Sequence, residues 1–320
     1  MKNKPDFTDT IEEWSNFFIP LHDGVQLAAR AWLPINAIEQ PVPAILEYIP
    51  YRKRDGTAIR DEQMHPYWAA FGYACVRVDI RGSGESDGLL LDEYLQQELE
   101  DAVEVIGWLE QQDWCSGKVG MMGKSWGGFN SLQVAALRPA ALKAIITVCS
   151  TDDRYADDCH YRGGALLIEN FSWASTISCY MAKSPDPLLL PETWREHWLE
   201  RLQNMPLFAR NWLEHTYKDA YWKHGSINED YSAIEAAVYC VGGWGDAYSV
   251  AIPRIMQGLS GPKKALIGPW AHKYPNFASP KPEMDFLAEA KRWWDYWLKG
   301  INNGIMDEAV IAAYIQDSVP

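Results

Sequence analysis

The sequence predicts an α/β fold, a mostly parallel central sheet with a helical cap inserted into it. Three features carry this reading. Short apolar runs rich in β-branched residues alternate with helix-period stretches as far as residue 150. From 151 to about 233 there is no convincing strand, and helical stretches are crowded with Trp173, Trp194, Trp198, Trp212 and Trp222. The strand pattern then resumes at residue 237.

Residues 16–20 are extended, Leu21-His22-Asp23-Gly24 is turn chemistry, and 25–33 reads as the second arm of a hairpin. Residues 44–48 and 73–80 are apolar strands, the second ending in Arg81-Gly82-Ser83-Gly84. Across 93–112, Leu99, Val103, Ile106 and Leu109 recur at helical spacing. A strand at 118–122, a helix at 125–137 and a strand at 143–148 follow. Beyond the cap come strands at 237–241 and 264–267 and a closing helix at 284–298. Residues 309–315 read as one strand with no partner behind it. The expected organisation is a catalytic unit of 1–150 and 234–301, a cap at 151–233, and the start of a further β-domain at 302–320.

With 48% hydrophobic and 22% charged residues, the 320-residue chain has the make-up of an ordered globular protein. Its net charge of −14 argues against a nucleic-acid partner, which needs a basic surface. No run approaches the roughly 20 apolar residues that span a bilayer, so no membrane partner is expected. Residues 1–14 are charged and lack the apolar core of a signal peptide. Cys75, Cys115, Cys149, Cys159, Cys179 and Cys240 form no Cys-x-x-Cys pair and read as buried, reduced thiols, which suits a cytoplasmic protein. With no His-Glu-x-x-His or comparable ligand cluster, neither a metal nor another cofactor is expected. No pattern specifies the oligomeric state, and a homo-oligomer is compatible with the sequence.

Gly123-Lys124-Ser125-Trp126-Gly127 fits Gly-x-Ser-x-Gly. At about 7% glycine, chance alone gives such a match in roughly one chain of this length in ten, so context decides. A strand ends at Met122 and a helix starts just after Ser125, which is the elbow that exposes a nucleophilic serine in the α/β-hydrolase fold. A serine hydroxyl needs a base, and in this fold acid and base follow the serine in that order. Asp246 comes just past the 237–241 strand, and His272 just past the 264–267 strand. The expected triad is Ser125, Asp246 and His272. The Trp126 backbone N–H would be one oxyanion donor. The second should come from the loop after 44–48, which reads Ile49-Pro50-Tyr51-Arg52-Lys53-Arg54-Asp55-Gly56, so a tyrosine hydroxyl is a candidate.

Further segments carry a resemblance. Pro50-Tyr51-Arg52-Lys53, the run from Asp79 to Gly88, Gly123 to Gly128, Gly242-Gly243-Trp244-Gly245-Asp246 and Gly268-Pro269-Trp270-Ala271-His272 together resemble the X-Pro dipeptidyl peptidase and cocaine-esterase group of α/β-hydrolases. That group also contains α-amino-acid ester hydrolases and glutaryl-cephalosporin acylases. The resemblance implies the same triad, and an oxyanion hole of the Tyr51 hydroxyl and the Trp126 N–H, with Tyr48 a nearby competitor. It implies a C-terminal jelly-roll domain whose entry residues 303–316 would form. The expected activity is cleavage of a carboxylic ester or amide through an acyl-serine, on a small ester or amide or a short peptide. X-Pro dipeptidyl peptidase activity is the alternative within the group, and a non-catalytic binding protein on the same scaffold the alternative outside it. Relatives acting on α-amino acyl groups hold the ammonium with carboxylates, a role open here to Asp157 or Asp158, which otherwise form an acidic helix start. The basic run Arg52-Lys53-Arg54 reads as a solvated or structural turn.

Overall fold

A computed structural model describes residues 10–317. Residues 1–9, most of the N-terminal segment read above for a signal peptide, and the last three residues lie outside them. The chain opens with a hairpin of β1 (Ile11–Pro20) and β2 (Gln26–Pro34), turned at Gly24, whose φ of +89° suits glycine. Then come β3 (Val42–Ile49), α1 (Ala58–Ala70), β4 (Ala74–Asp79), α2 (Gln96–Glu110), β5 (Cys115–Lys124), α3 (Trp126–Ala136) and β6 (Leu142–Val148). The inserted segment holds a two-residue ladder, β7 (Tyr161–Arg162) with β8 (Ala165–Leu166), and the helices α4 (Glu169–Met181), α5 (Trp194–Asn204), α6 (Ala209–Glu214) and α7 (Ala220–Lys223). The chain returns through β9 (Ala237–Gly243), α8 (Ala251–Gly258), β10 (Lys263–Gly268), α9 (Phe286–Lys299) and β11 (Ile311–Ala313).

Nine strands form one sheet in the order β1-β2-β4-β3-β5-β6-β9-β10-β11. The hairpin joins antiparallel at β2–β4, and every pairing from β4 to β11 is parallel. This mixed, mostly parallel sheet with an inserted helical segment is the α/β-hydrolase architecture. Strands covered on both faces read as continuous apolar runs, and β4 and β9 are buried at every position. In α9, Phe286, Ala290, Trp293, Trp294 and Leu298 recur at helical spacing and are buried. Trp294 lies so close to β5 that a side chain at Gly120 would come within 2.7 Å of its ring.

Three elements differ from the sequence expectation. Residues 311–313, read as unpaired, form the ninth strand, in parallel register with Ala265–Ile267 of β10. The α1 helix has no clear sequence signature because Pro66 interrupts it and its buried face includes Asp61 and His65. Cys179 is exposed on α4, whereas Cys75, Cys115, Cys149 and Cys240 are buried and Cys159 is partly so.

Candidate active site

Ser125, Asp246 and His272 follow β5, β9 and β10, so all three sit at the C-terminal ends of parallel strands, where open α/β sheets bind ligands. Ser125 itself occupies φ +59°, ψ −121°, a region that a side chain rarely adopts. Its N–H donates to the Val148 carbonyl at 2.9 Å, and its carbonyl accepts from the Gly128 and Phe129 N–H groups at 2.7 and 3.0 Å. Two glycines make the turn possible. A Cβ at Gly123 would lie 2.5 Å from the Gly127 Cα, and one at Gly127 would lie 2.7 Å from Ile49 Cγ2. The strained backbone and the tight strand–helix crossing therefore need each other.

His272 Nδ1 and Asp246 Oδ1 are 2.9 Å apart. Burial would raise the Asp246 carboxyl pKa, but the imidazole and the Cys149 thiol hold it below its ordinary value. The Asp246 carboxyl is thus charged at neutral pH. Ser125, Asp246 and His272 line one cavity of about 460 Å³, walled also by Tyr94, Phe129, Trp173 and Tyr248.

The Tyr51 hydroxyl lies near the Ser125 side chain and the Trp126 backbone. Burial pushes its pKa well above the ordinary phenol value, so it stays a neutral donor. Its loop is braced from two sides. Arg52 donates to Asp55 and to the Lys183 and Ser184 carbonyls beyond α4. Lys53 is fully buried and donates through Nζ to Glu85 at 2.6 Å and Asn16 at 2.8 Å, while its N–H donates to Asp79 at 2.9 Å. Ser83 Oγ donates to the Pro50 carbonyl. The basic run is therefore structural, but Arg52 and Lys53 are buried where solvation was the other expectation. The Gly82–Gly88 stretch supports the Tyr51 loop. Tyr48 lies in the core and its hydroxyl has no hydrogen-bond partner among the described residues.

Asp157 and Asp158 diverge. Asp157 accepts from Arg254 at 2.9 Å and from Thr151, away from the cavity. Asp158 lines the cavity and accepts from Tyr248 Oη at 2.7 Å and the Cys159 N–H at 2.6 Å. Two further carboxylates, Glu93 and Glu169, line the same space and carry no motif that marks them in the sequence. Glu93 accepts from Arg154 at 2.8 Å and sits 2.9 Å from His160 Nε2. Burial acts to raise its pKa, yet these cations hold it below the ordinary range. Their charge is spent on Glu93, leaving Asp158 and Glu169 to make the cavity acidic. Of the insert tryptophans, Trp173 lines the cavity, Trp212 and Trp222 are fully buried, and Trp194 stacks with Trp198 at 6.1 Å.

A strained serine elbow and a following acid and histidine on an α/β-hydrolase sheet define the class of protein. The family model for the X-Pro dipeptidyl-peptidase (S15) family matches residues 23–274, and the chain belongs to that family. It is 28% identical over 284 residues to a cocaine esterase of a Rhodococcus species, a match covering 81% of this chain and 48% of the relative. A CocE/NonD family hydrolase from Staphylococcus aureus superposes with a TM-score of 0.78 at 20% identity, covering 96% of this chain and 54% of that one. An α-amino acid ester hydrolase does so with a TM-score of 0.68 at 20% identity, covering 98% and 60%. These two share the fold. The chain spans about half the length of the curated relatives it matches. Among the described residues, no helix is long and apolar enough to cross a membrane.

Proposed function

We propose that the chain hydrolyses carboxylic esters or amides through an acyl-Ser125 intermediate. The observation that carries this reading is the juxtaposition of Ser125, on its strained turn, with the Tyr51 hydroxyl and the Trp126 N–H, in the cavity that His272 and Asp246 also line. Ser125 Oγ attacks the carbonyl carbon and its proton passes to His272 Nε2. Asp246 holds the imidazole by its Nδ1–H and balances the charge it gains. The tetrahedral oxyanion accepts from Tyr51 and Trp126. Collapse expels the alcohol or amine, which takes the proton from His272. A water then repeats the sequence on the acyl-enzyme and frees Ser125.

The acidic wall supports an acyl group bearing an α-ammonium, with Asp158 as its partner and Asp157 excluded by its bond to Arg254. The family match favours a second reading, X-Pro dipeptidyl peptidase, whose substrate carries its ammonium one residue further from the scissile carbonyl. Labelling with a fluorophosphonate, read by intact mass on wild type, Ser125→Ala and heat-unfolded protein, tests the nucleophile. A single adduct on folded wild type alone is expected. No adduct, or an equal adduct on Ser125→Ala, overturns the reading and leaves a binding protein on this scaffold. A panel of p-nitrophenyl esters, amino-acid esters and Ala-Pro-p-nitroanilide then separates esterase from peptidase.

A further inference from the structure

Three consecutive residues of the insert, His160 among them fully buried, bring donor atoms close together. His160 Nε2 lies 3.7 Å from Cys159 Sγ and 3.8 Å from Asp158 Oδ2. One donor atom from each of the three falls within 4.8 Å of the others. Such separations fit donors around a single ion with bonds of about 2.0–2.3 Å.

The surroundings orient these donors as outer partners orient metal ligands. His160 Nδ1 sits 2.8 Å from the side-chain oxygen of the buried Asn170, so Nδ1 carries a hydrogen, and Nε2, which lies 2.9 Å from Glu93, would exchange that contact for the ion. Asp158 Oδ1 takes the Tyr248 hydroxyl and the Cys159 N–H, which leaves Oδ2 turned toward His160. Trp212 packs on the His160 ring with centroids 4.4 Å apart. The opposing positive charge, Arg154, is paired with Glu93. Asp158 and Cys159 line the 460 Å³ cavity, which gives an ion its entry path and an open coordination position.

We propose that Asp158, Cys159 and His160 bind a thiophilic divalent cation of the Zn2+ class in the wall of the active cavity. Three protein ligands of oxygen, sulfur and nitrogen type with a fourth position open to the cavity is the arrangement such an ion accepts. Binding releases the Cys159 thiol proton and the His160 Nε2 proton that faces Glu93, and forms metal–thiolate and metal–imidazole bonds in their place. No redox change is involved. The ion would occupy Asp158 and cancel its charge, because the Asp158 carboxylate and the Cys159 thiolate together balance a divalent cation. The site goes beyond the hydrolase reading and does not depend on it.

The probe is Co2+, titrated into the full chain under reducing conditions after chelator treatment and dialysis. Wild type should show a thiolate-to-cobalt charge-transfer band with tetrahedral visible bands at one equivalent. Cys159→Ser should abolish the charge-transfer band. Asn170→Ala should weaken binding about 10–100-fold, as loss of an outer partner does. Near-UV circular dichroism checks that each variant is folded. A second measurement needs no variant: alkylation by iodoacetamide, mapped by peptide mass. Zn2+ should slow labelling of Cys159 at least about tenfold relative to the exposed Cys179. A band kept in folded Cys159→Ser, a band lost in Cys149→Ser instead, or equal labelling of Cys159 with and without Zn2+ would each overturn the site. Because no substrate enters the test, its outcome is separate from that of the fluorophosphonate experiment.

Discussion

The indole N–H of Trp126 donates to Glu98 Oε1 at 2.7 Å, tying the residue that follows Ser125 to the buried start of α2. The same oxygen accepts from Asn130 at 3.3 Å, and Oε2 accepts from the Tyr94 N–H at 3.0 Å. Its hydrogen-bond partners all donate, which favours the carboxylate, but burial, with the Glu93 charge added, outweighs them and pushes the Glu98 pKa up to about 7. A raised carboxyl pKa means that the native state holds a proton that the unfolded chain releases. Stability from this group is therefore full below the unfolded value of 4.5, falls as pH rises toward about 7, and is flat above it. The loss is on the order of 3 kcal/mol across that window. Urea unfolding at several pH values, wild type against Glu98→Gln, isolates the contribution. The wild-type curve should fall more steeply between pH 5 and 7, and parallel curves would show that Glu98 titrates normally.

Tyr51→Phe keeps the ring that packs on Tyr180 at 5.5 Å and Trp173 at 6.3 Å, and removes only the hydroxyl beside Ser125. If that hydroxyl meets the oxyanion, kcat should fall about 10²–10³-fold with KM little changed, as for loss of one oxyanion donor. A change confined to KM would assign Tyr51 to ground-state binding.

What the sequence makes legible is what local geometry dictates. Gly123, Ser125 and Gly127 are readable because the turn demands small neighbours at fixed offsets, and Asp246 and His272 because each follows a strand directly. Glu98 is not, since its partners Trp126 and Asn130 lie 28 and 32 residues away and a lone glutamate early in a helix reads as solvated. Asp157 and Asp158 cannot be separated in one dimension, because adjacent residues in an irregular loop diverge for reasons set by Arg254 and Tyr248. The pairing of β11 is hidden in the same way, as α9 separates it from β10.

Lys53 and Glu85, both buried, pair at 2.6 Å beneath the Tyr51 loop. Removing one partner strands the other charge in the core, at a cost of about 3–5 kcal/mol. Lys53→Met should thus lower the thermal midpoint sharply, whereas Arg54→Met, whose pair with Asp186 is more exposed, should change it little. Equal effects of the two substitutions in a thermal melt would contradict the division of the basic run into a buried and a peripheral part.

Gly127 and Gly123 face different obstacles, and this separates their substitution costs. At Gly127 the added Cβ meets the Ile49 Cγ2 methyl at 2.7 Å, a side-chain atom that can be deleted. At Gly123 it meets the Gly127 backbone, with Cα at 2.5 Å and the carbonyl carbon at 2.6 Å, which no side-chain change relieves. Gly127→Ala should destabilise by about 1–3 kcal/mol, the usual cost of overpacking. Combined with Ile49→Ala it should cost less than the sum of the two single changes, because the new methyl partly fills the space vacated. Gly123→Ala should show no such rescue and should also slow fluorophosphonate labelling, since the elbow itself must shift. Urea unfolding of the three single variants and of the two doubles with Ile49→Ala measures both couplings. Additivity at Gly127–Ile49 would mean that the crossing of β5 and α3 yields by backbone motion instead, and the strain at Ser125 would then not be held by this contact.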